Sequence, residues 1–119
     1  MSPKPKIYDL NERTLAFAKQ VRVFIKKLKR TMANMEDGKQ LVRSSGSVGA
    51  NYREANEALS KKDFIMRIKI CRKEAKESEY WLTLIDTEKS PELEHDRIAL
   101  KGEALELVKI FNAIIQKSS

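Results

Sequence analysis

The residues of this 119-residue chain that could do chemistry are few, and most lack the partners that their chemistry needs. Glu92 and His95 form a Glu-x-x-His motif, a spacing that sets a carboxylate and an imidazole on one helical face. Bundle proteins that hold two iron or manganese ions use that motif in pairs. The chain has a single His, so a second motif cannot be assembled, and neither can a Ser-His-acid set with any redundancy. Cys71 falls on an apolar helical ridge, where a thiol acts as a small hydrophobe and not as a nucleophile. Gly46-x-x-Gly49 lacks the Lys-Ser/Thr and the strand-turn context of a phosphate loop. Glu54, Glu74 and Glu77, beside Arg43 and Arg53, are the carboxylates that could hold a hard divalent cation. Charge networks between helices explain them more simply. The expectation is a protein that is not an enzyme, with no cofactor and no metal.

Composition narrows the class further. A chain of this length is one domain, residues 1–119, able to bury a real but modest core. Charged residues are 34% and hydrophobic residues 41%, which suits amphipathic helices. Gly and Pro are scarce, four and three, against a many-turned sheet protein. One Cys allows no internal disulfide and fits a reducing compartment. No signal peptide and no long apolar run is read in the sequence, so a cytoplasmic setting with no membrane contact is expected.

Helical spacing then supplies the elements. Residues 1–8 read as a loosely ordered arm. Asp9 and Glu12 fit a capping box, and Leu10, Thr14, Phe17, Val21, Phe24 and Leu28 make an apolar stripe over a helix at about 10–31. "NMEDG" at 34–38 reads as the break. A second helix, about 39–58, carries Leu41, Ser45, Val48, Tyr52, Ala55 and Leu59. Ser60 caps a third, which runs to about Thr87 through Phe64, Ile68, Cys71, Ala75, Ser78, Leu82 and Ile85. Ser90 and Pro91 open a fourth to about Lys117, with one ridge of Ile98, Leu105, Val108 and Ile115 and a neighbour of Leu93, Leu100, Ala104, Leu107, Phe111 and Ile114. Short connections predict an all-α, antiparallel up-down-up-down four-helix bundle.

The second helix is unusual. Gln40, Ser44, Ser47, Asn51 and Glu54 form a polar line beside its ridge, and Gly46 and Gly49 flank it. Each interior Gly costs ~0.8–1 kcal/mol of helix propensity against Ala. Close approach of another helix or subunit is the usual compensation, although such residues can also simply face water. The oligomer-interface set is therefore Arg43, Ser44, Ser47, Gly49, Asn51 and Glu54, with Trp81 from the third helix.

"QLVRSSGSVGANYREA" (40–55) resembles the matching segment of the four-helix bundle proteins encoded by intervening sequences in bacterial 23S ribosomal RNA genes. That family reads Arg, small residues, Ser-Ile, one residue, then Ala-Asn-Ile-x-Glu-Gly. Arg43, Ser47, Val48, Ala50, Asn51 and Glu54 match it, whereas Tyr52 and Ala55 depart from it. Phe64, Lys69, Ile70, Glu74, Ala75, Glu77, Trp81 and Leu82 resemble the family's third helix. The likeness spans about residues 8–116. It implies assembly as a homopentameric ring, and kinship with the pentameric accessory proteins of diversity-generating retroelements, which bind nucleic acid and a reverse transcriptase. The intervening-sequence group itself has no established activity.

Charge is segregated along the chain, whose formal net value is +7. Residues 1–30 balance to +7, residues 61–76 to +5 and residues 77–106 to −6. In an antiparallel bundle, Lys26, Lys27, Lys29 and Arg30 meet the acids of 88–96 at one pole. The other pole collects Lys4, Lys6, Arg13, Arg53, Lys61, Lys62, Arg67, Lys69, Arg72 and Lys73, with Lys117, as a candidate nucleic-acid surface. Tyr8 and Tyr52 lie where they could stack on bases. The expected function is a non-catalytic, basic, oligomeric RNA-binding or adaptor protein. The alternative is a protein–protein interaction module whose lysines are merely solvated.

Overall fold

The structure, a computed structural model, describes residues 9–118. It consists of four helices: α1 (Leu10–Lys27), α2 (Met32–Asn56), α3 (Lys61–Leu84) and α4 (Pro91–Ser118). No strand occurs among the described residues, and no described helix is long and apolar enough to cross a membrane. Residues 1–8, the expected arm, lie outside the described residues.

The caps follow the sequence. Asp9 accepts from the Asn11 amide (2.9 Å), Ser60 from the Asp63 amide (3.0 Å) and Ser90 from the Leu93 amide (3.2 Å). Each satisfies a backbone donor that the first turn of a helix leaves without a partner. Glu12 is exposed.

The break between α1 and α2 is the principal departure. It falls at 28–31, and "NMEDG" lies inside α2. Leu28 leaves α1 in an extended conformation, and the Thr31 hydroxyl caps α2 by accepting from the Asn34 amide at 3.1 Å. Asn34 is not loop chemistry. It is buried, its Nδ2 donates to the carbonyls of Lys29 (3.1 Å) and Asp86 (2.9 Å), and its Oδ1 accepts from the Asp86 amide (3.0 Å). One side chain thus ties the α1–α2 corner to the α3–α4 connection. Gly38 is buried inside α2, where a Cβ would stand in contact with Ile25 Cδ1 at 3.4 Å.

Apolar faces meet along all four helices. Phe17, Val21 and Phe24 of α1, Leu41 and Val48 of α2, Ile68 and Leu82 of α3, and Leu107 and Phe111 of α4 are almost wholly buried. Each contributes on the order of 1.5–3 kcal/mol of transfer free energy. The expected ridges need two corrections. Leu59 is fully exposed because α2 ends at Asn56, three residues earlier. Ile98 and Leu105 are 67% and 47% exposed, so the buried face of α4 is the Leu93–Leu100–Leu107 ridge.

Polar contacts record how neighbours align. Along α2 and α3, Asn34 meets Asp86, Ser44 meets Ser78 and Asn51 meets Arg67. Arg97 of α4 donates to the Leu82 carbonyl at the end of α3, Lys101 pairs with Glu79 and Arg72 donates to Asn112. Arg13 of α1 forms a two-pronged pair with Glu103 (2.7 and 2.9 Å), and Lys27 reaches Glu92 and Asp96 (both 3.2 Å). The two carboxylates at Lys27, Asp96 first, raise its pKa. Glu94 accepts from Thr87 and Arg97, which lowers its pKa.

Candidate nucleic-acid and interface residues

The middle of the polar line of α2, Ser44 to Asn51, turns inward against α3, while Gln40 and Glu54 at its ends are exposed. Ser44 is fully buried, and its hydroxyl lies 2.9 Å from that of Ser78, which itself donates to the Glu74 carbonyl. Asn51 donates to the Ser47 carbonyl and hydroxyl, and its Oδ1 accepts from Arg67 at 3.2 Å. Ser45, on the ridge, donates to the Val42 carbonyl. These hydroxyls and amides therefore have partners inside the chain, as buried polar groups require.

The two glycines differ. A Cβ at Gly49 would stand 2.9 Å from Thr14 Oγ1 and 3.3 Å from Thr14 Cβ, so α1 crosses α2 too closely for a side chain at 49 unless Thr14 or the helix shifts. A Cβ at Gly46 would meet only Arg22 Nη2, at 3.5 Å. Close approach accounts for Gly49 and not for Gly46.

Arg43 projects from α2 with its side chain 56% exposed, 3.4 Å from Glu77 and 3.7 Å from Glu74. Glu74 is buried, and its Oε1, the oxygen that faces Arg43, accepts no hydrogen bond among the described residues. Trp81 is half-buried and meets Tyr80 edge-on (centroids 5.1 Å apart), while its Nε1–H is buried without an acceptor among the described residues. Glu54 is exposed. Among the proposed interface residues, then, Ser44 and Gly49 face neighbours in their own chain, whereas Arg43, Glu54 and Trp81 keep unused capacity.

The basic set divides similarly. Arg53, Lys61, Lys62, Lys69, Lys73 and Lys117 are exposed around the α2–α3 turn and the end of α4. Arg13, Arg67 and Arg72 are half-buried, and hold Glu103, Asn51 and Asn112 respectively. Lys4, Lys6 and Tyr8 lie outside the described residues. Tyr52 is half-buried, tilted against Phe111 with centroids 6.3 Å apart.

At the opposite end, Lys27 and Lys29 pair with acids as expected. Lys26 and Arg30 do not: both are exposed with no carboxylate partner among the described residues. Lys19 and Arg22, farther along α1 from that end, are in the same condition. Their signal was present in the sequence, since 19, 22 and 26 share a face opposite the core stripe of α1.

The groups considered for catalysis stand apart. No three His, Cys, Asp or Glu side chains converge as metal ligands among the described residues. His95 is exposed beside Asp96, and Glu92 of the same motif engages Lys27. Cys71 is fully buried, and desolvation pushes its thiol up to about 12.

An all-α protein of four packed amphipathic helices is thus defined. The sequence profile of the 23S rRNA-intervening sequence protein family matches residues 7–113, and the chain belongs to that family. A crystal structure from Bacteroides thetaiotaomicron VPI-5482, described as a protein with unknown function from the S23 ribosomal protein family, is similar at 32% identity and a TM-score of 0.72. The match covers 89% of this chain and 97% of that one. No curated protein sequence matches the chain.

Proposed function

We propose that the protein is a non-catalytic, oligomeric RNA-binding or adaptor protein, a single antiparallel up-down-up-down bundle that works as a homopentamer in the cytoplasm. The observation that carries the nucleic-acid reading is the exposed cationic cluster at the α2–α3 end. Over residues 53–73 the sequence places seven Lys and Arg against three acids, and Arg53, Lys61, Lys62 and Lys69 have no ion-pair partner among the described residues. Cations left free in this way lower the free energy of a bound phosphate by releasing its counterions, with a slope of roughly −0.7 to −0.9 in log K per log salt for each phosphate. Pairs such as Asn34–Asp86 and Asn51–Arg67, whose numbers run in opposite senses, support the antiparallel arrangement. Assembly is supported by exposed Tyr80, Leu84, Ile98 and Leu105, and by the Trp81 Nε1, which has no acceptor among the described residues.

Fluorescence anisotropy with a labelled RNA hairpin tests the ligand. Binding that weakens steeply between about 50 and 200 mM salt, with a slope flattened by roughly 1.4–1.8 in a Lys61→Ala/Lys62→Ala variant, is the expected result. A flat salt response, or no binding at about 50 mM, refutes the reading. Mass photometry tests assembly; monomers alone, at 13.7 kDa, refute the pentamer. Capture of one stoichiometric protein partner that resists nuclease, without RNA binding, favours a protein–protein module instead.

A further inference from the structure

The seam between α1 and α2 carries a further line of uncompensated cations, which starts at Arg53 of the α2–α3 cluster and leads away from it. Lys19, Arg22 and Lys26 recur at steps of three and four on one face of α1, Arg30 follows beyond its end, and Arg53 stands opposite on α2. All five are exposed, and none has a carboxylate partner among the described residues. Arg22 donates to the Ala18 carbonyl at 3.0 Å, a bond that positions the guanidinium and leaves its charge uncancelled.

Beneath these cations lie two hollows in series. The first, of about 490 Å³, has a floor of Ala18, Gly46, Gly49 and Ala50, with Lys19, Arg22 and Arg53 at its rim. Asn11 also lines it, and the Asn11 Oδ1 is buried with no hydrogen-bond donor among the described residues. The second, of about 560 Å³, is floored by Ile25, Leu28, Met35, Gly38 and Val42, with Lys26 and Arg30 at its rim. Neither is lined by Asp or Glu. From Thr14 to Leu28 the seam runs ~21 Å at the helical rise of 1.5 Å per residue.

We propose that this seam is a track for one unpaired nucleic-acid strand, with phosphates on Lys19, Arg22, Lys26, Arg30 and Arg53 and the faces of unstacked bases in the two hollows. The inference rests on the nucleic-acid reading above and names the form of ligand and its path. A duplex keeps its base faces stacked inside and cannot offer them to a hollow, whereas a single strand can. An acidic peptide would satisfy the cations. Competition between that peptide and the single strand is therefore one arm of the test below. Gly46 now has a reason that close helix packing did not give, since its missing side chain keeps the first hollow open.

The test compares a labelled single-stranded RNA of mixed sequence with a duplex of equal length, by anisotropy on the full chain. The single strand should bind at least about tenfold more tightly. Removing two phosphate contacts with Arg22→Ala/Lys26→Ala should flatten its salt slope by about 1.4. Gly46→Leu should weaken the single strand at least about tenfold, while circular dichroism shows the helices intact and the melting temperature no lower. Equal binding of duplex, or wild-type binding by both variants while Lys61→Ala/Lys62→Ala loses affinity, overturns the seam and leaves the proposed function standing. Absence of RNA binding by the wild-type chain overturns both. A preference for an acidic peptide that competes the RNA off overturns the seam alone.

Discussion

Substituting Ala for each helical glycine in turn separates packing from propensity. Gly49 and Gly102 both lie inside helices, so Gly→Ala gains about 0.8–1 kcal/mol of helix propensity at either position. Their surroundings differ. A Cβ at Gly102 meets nothing within 4 Å, while a Cβ at Gly49 would stand 2.9 Å from Thr14 Oγ1 and 3.3 Å from Thr14 Cβ. Thr14 cannot swing aside cheaply, because its hydroxyl donates to the Leu10 carbonyl at 2.6 Å and the residue is 1% exposed. Relief requires α1 to move off α2, and overpacking of this kind costs about 1–3 kcal/mol. The difference between the two variants is that cost alone, since propensity cancels. For a domain of this size 1 kcal/mol corresponds to about 4 °C, so Gly102→Ala should melt about 3–4 °C above the wild type and Gly49→Ala about 4–12 °C below Gly102→Ala. Thermal unfolding followed by circular dichroism, at one fixed protein concentration because assembly would shift the midpoint, gives the comparison. Thr14→Ala should rescue Gly49→Ala in part, since it removes the nearer atom and leaves the Cβ. Equal gains at 49 and 102, or no rescue, would show that the α1–α2 crossing is not as close as the geometry says.

Asn34→Ala strips three part-buried hydrogen bonds from backbone groups on two connections, and should cost about 1–3 kcal/mol by chemical denaturation; a loss under about 0.5 kcal/mol would mean that water replaces them. Ser44→Ala should cost about 1 kcal/mol, and a double-mutant cycle with Ser78→Ala should return a coupling of similar size, because their hydroxyls share one buried bond. Cys71 should resist a thiol reagent at pH 8 in the folded protein and react at once when denatured. Its folded pKa is raised from 9.0 to about 12, so the unfolded chain loses the proton first. The stability linked to that thiol is therefore complete below pH 9.0 and is lost as pH climbs toward 12. Rapid labelling of the native state would contradict the burial.

Much of the fold was legible because helix starts and apolar stripes are local. Ser60 and Ser90 cap helices where the sequence puts them, and the core stripes of α1 and α3 are buried as their spacing requires. The α1–α2 break was misplaced because its determinants are not local. Leu28 continues the stripe of α1 perfectly well, and Asn34 and Gly38 look like turn residues until Asp86 and Ile25 are brought against them. The polar line of α2 was legible as a packed feature, although Ser44 is spent on Ser78 of its own chain. Of the basic set, spacing could place Arg67 and Arg72 on a face and could not foresee that Asn51 and Asn112 would occupy them. The net charge of each block was likewise blind to which lysines at the α1 end would find acids: Lys27 and Lys29 do, Lys26 and Arg30 do not.

The ionic clasps that hold α1 onto α4 have a dynamic consequence. Arg13–Glu103 near one end of α1 and Lys27 with Glu92 and Asp96 near the other are open enough to solvent for electrolyte to screen them. The seating of the first helix thus depends in part on the ionic medium, beside its buried Phe17, Val21 and Phe24. Its backbone amides should trade protons for deuterons sooner as salt rises.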